Sequence, residues 1–281
     1  MDIYMSLYSG GIRSWECDLD MWKLSLALAK KHYNKVHLIC DTDGASFLKD
    51  LPFDSFIVEL DNMPNFPLVW AMGKIYAYRI ACNYNKPFLH IDSDVFLWEP
   101  LPDSLISSNL IAQSKDSPFN CFVYDYSYFK TKLPDLWIES KSYARDVVVY
   151  NMGIFGGHDV PNIRNYSNLA ISMIEDPQLK CTWETPVYND RGVQSELAKN
   201  CLLEQGTFAI YLHKNNLTVN TLFHDLHDGA NLTYLKYTHL MGDKRVPEVR
   251  GRIKRRIAQT PYHLDVRHVT PEVWSNWGYK Y

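Results

Sequence analysis

A chain of 281 residues, 46% hydrophobic and 14% aromatic with 19 Tyr and 8 Trp, can bury a sizeable core and falls outside the disordered classes. Its formal net charge of −3 gives the whole molecule no general pull on nucleic acid or acidic membranes, so no nucleic-acid partner is expected. Six scattered cysteines with no C-x-x-C pair, and no apolar run approaching about 18 residues, predict reduced thiols and a cytoplasmic protein without a membrane span.

The run IYMSLY (3–8) predicts a strand that exits at Gly10-Gly11. In DLDMWKLSLALAKKHY (18–33), Leu19, Trp22, Leu26 and Ala29 recur at helical spacing, with Asp18 or Asp20 as cap. KVHLIC (35–40) reads as a second strand leading to an Asp/Gly turn, DTDGA, and SFIVEL (55–60) as a third before the Pro-punctuated loop DNMPNFP. LVWAMGKIYAYRIACNY (68–84) predicts a helix and PFLHI (87–91) the next strand. Strands alternating with helices imply an α/β fold, with a mostly parallel, doubly wound sheet covered on both faces. Further on, VVVYNMGIFGG (147–157) reads as a strand with Gly153, Gly156 and Gly157 near its end, and GVQSELAKN (192–200) as a short helix. LKYTHLMGDKR (235–245) reads as a strand running into a turn, and KRVPEVRGRIKRR (244–256) carries seven basic residues against one Glu. With no repeat or linker in view, the chain is expected to form a single domain.

HIDSDVF (90–96) places two carboxylates inside an apolar run, where they repel one another and lose solvation unless something positive sits beside them. Mn²⁺ or Mg²⁺ is the leading candidate, because hard cations bind through one or two carboxylates plus substrate phosphates. The ligands of doubly wound sheets lie beyond the carboxyl ends of the strands, where Asp92 and Asp94 fall. The same triplet can serve as a solvated turn or a helix cap. Trp98, Trp137, Trp183 and the group Tyr124, Tyr126 and Tyr128 offer flat faces on which a ligand ring can stack, although most aromatics are core.

HIDSDVFLWEPLP resembles the D-x-D segment of nucleotide-sugar glycosyltransferases with the GT-A fold. VVYNMGIFGG and THLMGDK, in the same order downstream, are similar to two segments of the glycogenin-like and lipopolysaccharide-galactosyltransferase-like retaining branch. The resemblance implies a GT-A-like α/β/α sandwich, with a donor half at about 1–100 and an acceptor half with a C-terminal closing segment at about 101–281. It implies that Asp92, Asp94 and His239 bind the cation, Mn²⁺ or Mg²⁺, that bridges a nucleoside-diphosphate sugar, with UDP-sugars the family default. Lys74 and Lys244 would reach the donor, Gly242 would let the backbone approach its diphosphate, and Asn151 and Gly153 would border the sugar. The stretch between Gly242 and Lys244 is one residue shorter than the family spacing, which makes Arg245 a substitute. The family's D-Q-D helix start is reduced to GVQSE, where Gln194 keeps the amide while Val193 and Ser195 replace the acids.

The implied reaction moves a sugar to a glycan, lipid-linked or protein acceptor, with Asp94, Gln194, Glu196 and Lys244 as the catalytic set. If configuration inverts, Glu196, Glu184 or Asp190 is the expected base. The basic 244–256 segment suggests an anionic acceptor or peripheral contact with an anionic membrane. Each residue also has a plainer role: His239 as a core imidazole, Lys74 and the basic run as solvated helix faces, Asn151 as a strand-end partner of backbone. Two other classes share the D-x-D pattern. A haloacid-dehalogenase-like phosphatase would use Asp92 and Asp94 directly, and a non-catalytic nucleotide-sugar-binding protein would keep the fold without turnover.

Overall fold

The computed structural model describes residues 1–11, 19–118, 124–188, 196–225, 236–240 and 247–259. In chain order the first elements are β1 (Asp2–Leu7), α1 (Leu19–His32), β2 (Val36–Cys40), α2 (Thr42–Leu48) and β3 (Ser55–Val58). They continue with α3 (Ala71–Ala81), β4 (Phe88–Ile91), β5 (Val95–Leu97), α4 (Asp103–Ile106) and β6 (Ile111–Pro118). Next come α5 (Asp135–Ser140), β7 (Val148–Gly157), α6 (Val160–Glu175) and α7 (Lys180–Glu184). The last are α8 (Glu196–Cys201), α9 (Thr207–Lys214), β8 (Asn220–Asp225), β9 (Tyr237–His239) and α10 (Pro247–Gln259).

The seven-stranded sheet runs β3-β2-β1-β4-β7-β6-β8. Four of its pairings are parallel, and only β7 runs against its neighbours. Alternate residues of β1 enter opposite layers, as the two-residue period of a strand requires. Tyr4 joins the core under α3, α6 and α9, while Ile3, Met5 and Leu7 join the one under α1 and α2. The layered α/β architecture implied by the sequence is therefore present, with helices on both faces. The reversal at β7 brings it alongside β4 with Ile91 opposite Ile154, so residues just past each register reach one end of the sheet together. At the far end of β7, Gly156 (φ +152°) and Gly157 (φ +130°) hold conformations an L side chain rarely adopts, and an added Cβ would lie 2.1 Å from the carbonyl oxygens of Phe88 and Asn109.

Two sequence expectations change. DTDGA is not a free turn: Asp41 caps α2 by accepting from the Gly44 amide at 2.7 Å, so the segment winds into a helix. The aromatics proposed for stacking are mostly core. Trp137, Trp183 and Tyr124 are fully buried, the two indoles edge to face at 6.0 Å, and Tyr126 is 7% exposed. Among the described cysteines Cys40, Cys82 and Cys201 are buried and Cys181 exposed, all as free thiols, and burial pushes Cys40 and Cys82 up to about 12. No helix among the described residues is long and apolar enough to cross a membrane.

Candidate metal centre

The four buried residues of β4 end at Ile91, and the chain turns at once. The Asp92 amide donates to the Gly153 carbonyl at 3.0 Å, and the Val95 amide donates back to the Asp92 carbonyl at 3.0 Å. This turn leaves Asp92 at the rim and places Asp94, 2% exposed, on the entry to β5. The short β9 then pairs antiparallel with β5, Val95 opposite His239, and the Leu240 amide donates to the Asp94 carbonyl at 3.1 Å. Backbone pairing thus delivers the imidazole to the two acids.

One ligand atom from each of Asp92, Asp94 and His239 lies within 4.8 Å of the others. His239 Nε2 is 3.4 Å from Asp94 Oδ1 and 3.9 Å from Asp92 Oδ2. Its other ring nitrogen, Nδ1, lies 2.7 Å from Oε1 of Gln113 on β6, which also accepts from the Tyr237 hydroxyl at 2.7 Å. An amide oxygen only accepts, so Nδ1 carries a proton and the ring meets the carboxylates through Nε2. A lone pair facing two anions is unfavourable unless a cation, or a second ring proton, sits between them. Two carboxylates and a neutral imidazole are a donor set suited to Mn²⁺ or another divalent cation, and this geometry can hold one. Gln113 Nε2 is buried with no partner among the described residues, at a cost of about 1–3 kcal/mol. The amide is thus placed for the imidazole and the tyrosine at the expense of stability.

Gly153 makes the arrangement possible, because a Cβ there would lie 2.4 Å from Gln113 Oε1 and 2.5 Å from His239 Nδ1. Asn151 holds this stretch of β7 by accepting from the Gly153 amide at 3.0 Å.

Lys74 projects from α3 onto the outer acid. Its ammonium contacts Asp92 Oδ1 at 2.7 Å and Oδ2 at 3.0 Å, Glu204 Oε1 at 2.8 Å and the Met152 carbonyl at 3.0 Å. Burial alone would lower its pKa, but the Asp92 and Glu204 charges outweigh that and raise it, so Lys74 is charged. Glu204 is 2% exposed; burial pushes its carboxyl up against the opposing pull of Lys74, and Tyr78 donates to it at 2.9 Å. It sits on a π-helical turn, Leu202–Gly206, that joins α8 to α9.

The structure therefore gathers Asp92, Asp94, His239, Lys74, Asn151 and Gly153 at one place. Glu196 opens α8, 3.9 Å from the buried Lys199 ammonium, and Glu184 lies at the end of α7, 3.7 Å from Lys180. Gln194, Asp190, Gly242, Lys244 and Arg245 lie outside the described residues. Gln113 and Glu204 were missed in the sequence. The signal available was polar residues interrupting an apolar run, as Glu204 and Gln205 do in CLLEQGTF, which by itself names no role.

Among solved structures, the apo form of mouse xyloside xylosyltransferase 1 is similar to this chain, at 10% sequence identity and a TM-score of 0.41, over 85% of this chain and 96% of that one. No curated protein matches the sequence. The model of a family described as "Family of unknown function (DUF6734)" matches residues 5–269, which is nearly the whole chain, and this protein therefore belongs to the DUF6734 family.

Proposed function

We propose that this protein is a metal-dependent glycosyltransferase of the GT-A type, a hexosyltransferase that moves a sugar from a nucleoside-diphosphate donor, a UDP-sugar by family default, to a glycan, lipid-linked or protein acceptor. The observation that carries the reading is the convergence of Asp92, Asp94 and the Nε2 lone pair of His239 at the carboxyl end of a central strand. A divalent cation held there would offset the negative charge that builds on a departing nucleoside diphosphate. The chain's own residues would do the rest. Asp92 and Asp94 orient the site, Lys74 adds a fixed positive charge at its rim, and Gly153 and Asn151 shape the floor under the sugar. Gln194, Gly242 and Lys244 complete the donor contacts in this reading, and Glu196, Glu184 or Asp190 is the base if the outcome is inversion. Residues 1–100 would form the donor half and 101–281 the acceptor half. The free buried thiols support a cytoplasmic setting. A phosphatase of the haloacid-dehalogenase type is less well supported, since both oxygens of Asp92 are engaged by Lys74 and the third group at the site is an imidazole.

Thermal unfolding of the wild type against a panel of nucleotide sugars tests the reading. A UDP-sugar should raise the midpoint in Mn²⁺ and leave it unmoved in EDTA, because a ligand that binds only the native state stabilises it by mass action. A panel that shifts nothing in Mn²⁺, with vanadate-sensitive hydrolysis of p-nitrophenyl phosphate, would replace the transferase by the phosphatase.

The acceptor side is addressed by α10. Ile253 is buried, and Val249 and Ile257 pack with it against Met21, Leu24 and Leu28 of α1 and against Phe96 and Leu240. Arg252, Lys254, Arg255 and Arg256 are exposed, Arg256 lying 5.5 Å from the centre of the Trp98 ring. The apolar stripe of α10 is thus spent on the protein, and contact with an anionic membrane or acceptor would be electrostatic alone. Adsorption to phosphatidylserine vesicles should vanish by about 0.5 M salt. Neutralising the four exposed charges should abolish it without changing donor binding; unchanged adsorption would make α10 a solvated face.

A further inference from the structure

Counting charge around the triad exposes a role for Glu204. Asp92 and Asp94 bring two negative charges, and His239, which must be neutral to ligate a metal, brings none. Lys74, 2.7 Å from Asp92, would cut that to one, and a site with one net negative charge binds a dication more weakly than a site with two. Glu204, 2.8 Å from the same ammonium, cancels it. Its placement is specific. The π-helical turn aims the carboxylate at Lys74, the Tyr78 hydroxyl donates to Oε1, and the Tyr166 hydroxyl anchors the Glu204 carbonyl at 2.8 Å. π-Helical turns occur disproportionately at functional sites.

We propose that Glu204 is a positioning residue for the cation site: it holds the Lys74 ammonium against Asp92 and cancels its charge, so that Asp92 and Asp94 present two net negative charges to a dication. Lys74 then has a fixed location beside the metal without weakening the metal's hold. This rests on the cation site at Asp92, Asp94 and His239. It makes Glu204 a contributor to cation affinity as long as Lys74 is present, although the nearest metal-ligating side chain is reached only through Lys74.

Mn²⁺ titration by calorimetry on the full chain, without donor, tests it. Glu204→Gln keeps volume and the contact with Tyr78 but removes the charge, and should weaken Mn²⁺ about tenfold. Glu204→Asp keeps the charge and should stay within about threefold, which preserves the test if Glu204→Gln folds poorly. The double variant Lys74→Met/Glu204→Gln restores two net negative charges and should bind Mn²⁺ within about threefold of wild type or more tightly. A purely structural role predicts instead that the double variant is at least as impaired as Glu204→Gln, and that result overturns the proposal. So does Glu204→Gln with wild-type affinity. If folded wild type and Asp94→Ala both take up no Mn²⁺, the cation site itself is refuted and this inference falls with it; Mn²⁺ binding lost only in Asp94→Ala and unmoved by Glu204 changes refutes the inference alone.

Discussion

Asp94→Ala is expected to abolish measurable Mn²⁺ binding, a loss of at least about 100-fold, since even changes to groups behind the metal ligands commonly cost 10–100-fold. Asp94 is the more buried acid, and its Oδ1 is the carboxylate atom nearer to His239 Nε2. Without it the imidazole lone pair and Asp92 remain, and Asp92 is already shared with Lys74 through both oxygens. Asp94 also takes part in the β5–β9 junction through its carbonyl, which accepts from the Leu240 amide and is retained in the variant. Folding in EDTA should therefore survive the change while the stabilising effect of Mn²⁺ and of donor disappears. Calorimetric titration and melting curves with and without the metal read this directly. Full turnover by Asp94→Ala would place the chemistry elsewhere in the molecule.

Gly153→Ala is expected to be the most damaging single-methyl change near the site. The new Cβ would occupy the space where the Gln113 amide meets the His239 ring, at 2.4 and 2.5 Å from their polar atoms. Neither neighbour has room to yield easily. Gln113 is fully buried and tied to Tyr237, and His239 is fixed in register on β9 opposite Val95. Overpacking of this kind costs about 1–3 kcal/mol, and the same displacement breaks the bond that sets the imidazole tautomer. A lowered melting temperature should thus accompany a loss of Mn²⁺ affinity of about tenfold or more, the two effects sharing one cause. A variant destabilised but with wild-type affinity would show that the Gln113 contact does not orient His239 for metal.

The sheet and the acid pair were legible in the sequence because their signals are local. FLHI is apolar enough to be a buried strand, and two acids in its immediate continuation conflict with that burial unless they have a task. His239 had no such signal. Its place depends on a three-residue antiparallel pairing between β5 and a segment far along the chain, and only the resemblance of THLMGDK pointed to it. Glu204 and Gln113 were opaque for a related reason, since their meaning lies in partners on other elements. DTDGA misled because its residues suit a turn and a capped helix start equally, and the Gly44 amide chose the cap. Most of the aromatics lie in the core, as the hydrophobic gain of burying large rings favours, while Trp98 and Tyr128 are half-buried.

The π-helical turn between α8 and α9 also divides one helical rod into two independently phased halves. An α-helix advances each residue by about 100°, so one residue added within a turn rotates everything beyond it by that amount relative to everything before. On the near side, Asn200 binds the Leu68 carbonyl and the Ala71 amide at the start of α3; on the far side, Phe208 meets Phe155 and Tyr166 edge to face in the core. Residue count within Leu202–Gly206 therefore acts as a gear setting. Removing one residue there would shorten the rod by only about 1.5 Å, yet it would turn the Phe208 side out of its layer or swing Asn200 and Glu204 away from α3. In this stretch insertions and deletions alter rotation far more than length, so relatives that conserve the cation site should conserve the number of residues here even where the residues themselves differ.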